Sequence, residues 1–144
     1  MSFSLRRLNL EEMDRAAIIL RTAFDERLPW LAGLHTPAED RAYFRERVFS
    51  ECEVWGAVDE ELVGFIAFRT DWIDQLYVLP SWHGQGAGDA LLEVAKGAAS
   101  SLQLWTFQKN TPARRFYEKR GFVLVNATDG SDNEEHSLYR WSRR

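Results

Sequence analysis

Two stretches of this chain hold residues whose types and spacing could do chemistry. The first is His83, Gly84, Gln85, Gly86, Ala87, Gly88 and Asp89. An apolar run of Ile73, Leu76, Tyr77, Val78 and Leu79 precedes it, and Pro80, which cannot donate to a ladder, closes that run. Ala90, Leu91, Leu92, Val94, Ala95, Ala98 and Ala99 follow at helical spacing. The pattern predicts strand, glycine-rich turn and helix. Glycines at such a turn let backbone approach a ligand closely. The free N–H groups and dipole of a helix N-terminus attract anions. A phosphate or pyrophosphate cradle is the chemistry these residues suit. The second stretch is Asn110 to Phe122, NTPARRFYEKRGF. Asn110 or Thr111 caps a helix there, Pro112 sits in its first turn and Gly121 ends it. Ala113, Phe116 and Tyr117 share one of its faces, and Lys109, Arg114, Arg115, Lys119 and Arg120 make it basic.

Other chemistry is sparse. Asp71 and Asp74 stand just before or within the strand that leads to the cradle, and Asp74 shares parity with Leu76 and Val78. His35, His83 and His136 are scattered and give no metal-ligand pair, and no Ser/His/Asp order stands out. The turn is not a P-loop, because Gly88 is followed by Asp89 and Ala90 where Lys and Ser or Thr would be needed. Gly84, Gly86 and Gly88 give G-x-G-x-G, which also departs from the dinucleotide spacing.

The elements that must position these residues read as follows. Phe3, Leu5 and Leu8 give a first strand, and Asn9 caps a helix with Met13, Ala16, Ala17, Leu20, Ala23 and Phe24 on one face. Leu28 to Leu34 is a loop or helix tail. Thr36, Pro37 and Glu39 start a second helix with a capping box, from which Ala42, Tyr43, Val48 and Phe49 face inward. Glu53–Val58 and Leu62–Thr70 form a hairpin with a charged tip at Asp59, Glu60 and Glu61. Leu102–Phe107 follows the cradle helix as a strand, parallel to the one before it through a right-handed crossover. Phe122–Ala127 and Glu135–Trp141 finish the sheet around a polar loop at Asp129, Gly130, Ser131, Asp132 and Asn133. The fold class is α/β (α+β by some schemes): a mixed, mostly antiparallel sheet of about seven strands with about four helices on both faces.

Composition bounds the rest. A chain of 144 residues fits a single domain spanning 1–144. Apolar content of 45% and charged content of 28% are those of an ordinary soluble globular protein. A net charge of −4 argues against a nucleic-acid binder that relies on a basic surface. Cys52 is the only cysteine, so no disulfide framework forms within one chain, as suits a reducing compartment. No apolar run is long enough to span a bilayer and no signal-peptide h-region is seen, so a cytoplasmic location is expected. The six tryptophans read as core and pocket lining.

His83, Gly86 and Gly88 resemble the Arg/Gln-x-x-Gly-x-Gly/Ala pyrophosphate signature of the GNAT superfamily of acyl-CoA N-acyltransferases, with His83 in place of Arg or Gln. Asn110, Ala113, Phe116, Tyr117, Gly121 and Phe122 resemble that family's later motif, Asn-x-x-Ala…Phe-Tyr…Gly-Phe. The resemblance implies the GNAT fold and an acetyl-CoA-dependent N-acetyltransferase, moving acetyl to a primary amine by direct attack in a ternary complex. Acetyl-CoA would be a co-substrate and no metal is implied. Pyrophosphate would lie on amides from His83 through Gly84, Gln85, Gly86, Ala87 and Gly88 to Asp89. Pantetheine would pair with Leu76, Tyr77 and Val78 as an added strand does, with Asn110 bonding the same arm. The strands flanking the cradle helix would splay apart, and the Val78 N–H would polarise the thioester carbonyl. Asp89 is expected to point away from phosphate, and His83 to give a weaker or more pH-sensitive hold. Tyr117 would protonate the leaving thiolate; without the cradle it would read as a core tyrosine with a satisfied hydroxyl. Asp74 is the first candidate for the base and Asp71 the second, both also readable as solvated strand-end carboxylates; His35 and His136 have no positional support. Phe24, Leu28, Trp30 and Leu34 would line the acceptor pocket, or simply pack helix on helix. The expected partners are acetyl-CoA and an amine, with no nucleic acid and no membrane, and the protein a monomer or homodimer. Two rival readings are a non-catalytic acyl-CoA-binding or regulatory module on the same fold, and a nucleotide- or phosphate-binding domain whose turn mimics the motif.

Overall fold

Turn chemistry and alternation set the frame. A computed structural model of the chain describes residues 2–33, 35–127 and 136–143. Leu34 and the polar stretch Asp129 to Asn133 lie outside the described residues. Seven strands form one sheet in the order β1-β2-β3-β4-β5-β7-β6. They are β1 (Ser4–Arg7), β2 (Glu53–Asp59), β3 (Glu61–Arg69), β4 (Trp72–Val78), β5 (Ser101–Phe107), β6 (Val123–Ala127) and β7 (His136–Ser142). All neighbours run antiparallel except β4 and β5. The charged tip closes the β2–β3 hairpin, with Asp59 opposite Glu61 and Glu60 at a positive φ of 61°. Among the described residues no helix is long and apolar enough to cross a membrane.

Helix α1 (Met13–Arg27) starts one turn after its signal. The Asn9 side chain accepts from the Glu12 amide at 3.1 Å, and the Glu12 carboxylate accepts from the Asn9 amide at 2.9 Å. This reciprocal pair caps a tight turn that leads into the helix. Met13, Ala16, Ala17, Ile19 and Ala23 are buried, the alanines allowing close approach to β3 and β4. Ile19 takes the fully buried place that spacing suggested for Leu20, which is half-buried.

Helix α2 (Pro37–Tyr43) opens on the predicted capping box: the Thr36 hydroxyl accepts from the Glu39 amide at 3.1 Å and the Glu39 carboxylate from the Thr36 amide at 2.7 Å. It runs on through a wide π turn at Phe44–Val48 into α3 (Phe49–Glu51). Here the expected inward face is corrected. Ala42 and Tyr43 are exposed, whereas Phe44 and Val48 are buried. The larger apolar Phe44 wins the inward place, edge-on to Phe65 at 5.5 Å, and the wide turn keeps Val48 on its side. The buried Asp40 carboxylate accepts from Arg21 Nε at 2.9 Å and Nη2 at 3.0 Å, fastening α2 to α1.

Helices α4 (Ala87–Ala98) and α5 (Thr111–Glu118) cover the other face. Two apolar clusters result. Ile66, Leu91, Leu92, Leu102 and Tyr139 lie in one, and Met13, Phe44, Phe65 and Ala67 in the other. Phe122 is a buried core residue just before β6 rather than its first residue. Phe65→Ala should cost about 3–5 kcal/mol, because the ring is fully buried on the α1 side and its loss leaves a cavity. Chemical denaturation reads this directly, and a cost below about 1 kcal/mol would mean that the α1 layer collapses onto the sheet without it.

Candidate functional site

The site begins where β4 leaves β5. Only Trp72 and Gln103 are paired between these strands, with the Gln103 amide donating to the Asp71 carbonyl at 2.8 Å. Beyond that point the strands part. Antiparallel pairing alternates the backbone groups of β4 between its two edges. The Leu79 amide donates to Val63 at 2.9 Å, so Tyr77 also faces β3, and the backbone groups of Leu76 and Val78 turn into the gap. A cavity of about 790 Å³ occupies this opening and runs up to the glycine turn. Leu76, Tyr77, Val78, His83, Gly84, Gly86, Ala87, Gly88, Asp89, Asn110 and Tyr117 all line it.

The turn leaves its backbone open. Gly84 and Gly86 have φ of 77° and 88°, and a Cβ at either would meet nothing within 4 Å. Side chains rarely adopt that backbone, and the space beside it is open. Among the described residues the amides of Gly84, Gln85, Gly86, Ala87, Gly88 and Asp89 donate to no protein acceptor. They collect at the N-terminus of α4, where the helix dipole adds to their pull on an anion. Gly88 serves packing instead: a Cβ there would meet Phe116 Cε1 at 3.1 Å and Cζ at 3.2 Å. The side chain of Gln85 is exposed and does not line the cavity.

Two side chains at the turn have fixed roles. The Asp89 carboxylate points to Arg120, which donates to both its oxygens and holds its pKa below the ordinary range. Arg120 in turn stacks on Phe116 at 3.8 Å. The Asp89 charge is thus matched by Arg120 at the cavity wall. His83 differs from expectation. Its Nε2 donates to the Val78 carbonyl at 2.8 Å, and its Nδ1 accepts from Arg27 Nη2 at 2.8 Å. The ring is thereby engaged with protein on both nitrogens instead of facing a ligand.

The second motif meets the first inside the gap. The Asn110 side-chain Oδ1 accepts from the Ala113 amide at 3.3 Å and caps α5, and Asn110 lines the cavity. Tyr117 is 7% exposed. Its hydroxyl has no hydrogen-bond partner among the described residues, and it is not sealed off, so it opens on the cavity. Burial, with the neighbouring Tyr77 adding, pushes the Tyr117 phenol above its ordinary pKa, so it stays protonated. Burial pushes Tyr77 up to about 12.

The carboxylates separate. Asp71 lies at a φ of 68° in the exposed turn before β4, outside the cavity walls. Asp74 is the extra residue of a bulge: Gln75 pairs with Ala67 and Ile73 with Phe68, leaving Asp74 unopposed. Parity therefore breaks, and Asp74 does not share the face of Leu76 and Val78. Its Oδ2 accepts from Arg69 Nε at 2.9 Å and from Cys52 Sγ at 3.2 Å, while Oδ1 has no donor among the described residues. It borders a small cavity of about 60 Å³ between β4 and β5, shared with Asn110 and Tyr117.

On the α1 side, Phe24 and Leu28 line the large cavity, Phe24 edge-on to Phe107 at 5.7 Å. Trp30 does not: the tight turn Pro29–Leu31 turns it outward, 52% exposed, with Lys109 Nζ 5.6 Å from its ring centre. Sequence reasoning missed Arg27, which lines the same cavity. Nothing in its local pattern marks it, since its partner lies 56 residues away.

Burial first, then the bond to Asp74, pushes the Cys52 thiol up to about 12. A raised thiol pKa keeps the thiolate scarce, and the contribution of the contact to stability holds below about pH 9 and fades as pH rises above it. Asp74→Asn should therefore speed alkylation of Cys52 by iodoacetamide at pH 8, without changing the unfolding midpoint much. An unchanged rate would show that Asp74 does not bear on the thiol.

Comparison with known proteins agrees with these motifs. Residues 50–124 match the acetyltransferase (GNAT) domain family. The chain is 31% identical over 137 residues to the peptidyl-lysine N-acetyltransferase YjaB of Salmonella typhimurium, covering 92% of this chain and 91% of that protein. It superposes on the solution structure of apo-form YjaB from Escherichia coli with a TM-score of 0.81 at 26% identity, over 100% of both chains. It shares the fold of a PaiA N-acetyltransferase from Thermoplasma acidophilum in complex with coenzyme A, with a TM-score of 0.73 at 22% identity over 99% of each chain. With two motifs meeting in one gap and relatives matched over nearly their whole length, the chain belongs to the GNAT superfamily of N-acetyltransferases.

Proposed function

We propose that this N-acetyltransferase carries acetyl from acetyl-CoA to a primary amine by direct attack in a ternary complex, and that the acceptor is the side-chain amine of a lysine in a peptide or protein. The observation that carries the mechanism is the gap between β4 and β5, with free amides at one end and the Tyr117 hydroxyl inside. The acceptor class rests on the peptidyl-lysine acetyltransferases that the chain resembles over nine-tenths of its length. The fit to acetyl-CoA is supported by the open space at Gly84 and Gly86 and by the unpaired amides around them.

In this reading the amides from Gly84 to Asp89 hold pyrophosphate, and Leu76 and Val78 pair with pantetheine. The Val78 N–H faces the gap and polarises the thioester carbonyl. The Asn110 NH₂ bonds the same arm. The amine nitrogen attacks the acetyl carbon, the C–S bond breaks, and the sulfur takes up negative charge. Tyr117, protonated across the neutral range, donates to that sulfur. The amine gives its proton to Asp74 Oδ1 through a water in the small cavity, and Asp71 is the second choice. Phe24 and Leu28 wall the acceptor side.

Acetyl-CoA should raise the unfolding temperature by mass action, adding roughly 2.7 kcal/mol at a hundredfold excess over its dissociation constant. Gly86→Val should abolish that shift, since the side chain would be strained at this φ and would enter the open space. A full shift in the variant removes the cradle from the pyrophosphate.

Tyr117→Phe keeps the ring and removes the hydroxyl. It should slow turnover of a lysine peptide about a hundredfold while acetyl-CoA affinity stays near wild type. Because the phenol pKa is raised, the wild-type rate should show no fall from this group as pH rises to about 10. Asp74→Asn should lower the rate at neutral pH with little change in acetyl-CoA binding. Full turnover in Tyr117→Phe would assign the proton to another donor. Full activity in Asp74→Asn together with loss in Asp71→Asn would reverse the order of the two carboxylates.

A further inference from the structure

We infer that Arg27, delivered from the end of α1 and held by His83, is the cation that grips the pyrophosphate, in place of the Arg or Gln absent from the glycine turn. This rests on the reading of the gap as an acetyl-CoA site. A guanidinium only donates, so the 2.8 Å contact makes His83 Nδ1 the acceptor and leaves the hydrogen on Nε2, where it bonds the Val78 carbonyl at 2.8 Å. Both ring nitrogens are then engaged. The imidazole contributes no donor to a ligand; what it contributes is the position of Arg27.

Arg27 keeps donors in hand. One Nη2 hydrogen serves His83, while the other and both hydrogens of Nη1 have no acceptor among the described residues. Its nearest carboxylate, Glu26, sits 3.6 Å from Nε and is half-exposed, too long for a hydrogen bond and screened by water. Neighbouring arginines are committed elsewhere: Arg21 to Asp40, Arg120 to Asp89. Arg27 shares the cavity wall with Gly84 and Gly86, whose open sides face the space an anion would fill. Amides supply the shape of such a cradle, and a fork of charged donors strengthens it with shorter bonds than neutral groups make. Arg115 on α5 and Lys119 just after it line the same cavity, on the side of the second motif. They are the competing source of charge.

The placement has a consequence for the acceptor. Phe24 and Leu28 lie on the same helix end as Arg27, so the group that binds the phosphates is rigidly joined to the wall that meets the amine.

The test compares two donors, acetyl-CoA and S-acetylpantetheine, which lacks pyrophosphate. Arg27→Met should raise the acetyl-CoA dissociation constant by about tenfold or more and weaken its dependence on salt. The kcat/KM with S-acetylpantetheine should stay within about twofold of wild type, as for a group that touches only the missing part. His83→Ala should reproduce the loss in part. Equal losses for both donors, or no loss for either, would overturn the inference. So would a loss that appears only in Arg115→Met and Lys119→Met. If Arg27→Met does not fold, Arg27→Lys should still show a several-fold loss confined to acetyl-CoA, because it keeps the charge without the fork. A wild-type protein that binds no acetyl-CoA would sink the function itself and not merely the role of Arg27.

Discussion

A backbone amide that leaves a sheet ladder must find another partner or carry the cost of being desolvated alone. That constraint organises this molecule. β4 holds β5 by one pair and then abandons it, so the groups of Leu76 and the Val78 N–H face the gap. The rest of the architecture keeps the separation in place. Helix α4 bridges the two strands on one side, α1 lies across β3 and β4 on the other, and β7 completes the far edge of β5. The gap is therefore a standing demand for hydrogen bonds, and an extended amide-rich molecule meets it as an extra strand would.

The charges around the gap are arranged to leave that demand intact. Asp89 would oppose an anion at the N-terminus of α4, but Arg120 pairs with it and matches its charge. Arg120 is itself stacked on Phe116, one residue from Tyr117. His83 ties down the Val78 carbonyl and leaves the Val78 N–H unbonded by that contact. The Asp89 and Val78 acceptors are thus occupied while the cradle amides stay unpaired, which suits a ligand rich in phosphate oxygen.

Much of this was legible from residue types. Turns, caps and the glycine-rich loop write their chemistry locally: Thr36 with Glu39, Asn110 ahead of Pro112, the charged hairpin tip, and the strand–turn–helix around Gly86 all stand as read. What failed to show is what depends on distant partners or on a slipped register. The bulge at Asp74 is set by how Ala67 and Phe68 pair, so alternation within β4 alone misplaces the carboxylate. The wide turn at Phe44 answers Phe65 across the core, which no local period reports. The family resemblance puts Trp30 in the acceptor wall, yet the tight turn at Pro29 sends it to solvent. Arg27 has meaning only through His83.

Gly88 and Phe116 touch across the gap's upper end, with no room for a methyl group between them unless the ring yields a few tenths of an ångström. One belongs to the anion cradle and the other to the helix that carries the tyrosine. Mutational drift at these two positions is consequently not independent. A larger residue at 88 requires a smaller or retreating one at 116. A chimera that took its glycine turn from one relative and its tyrosine helix from another would have to re-fit this contact.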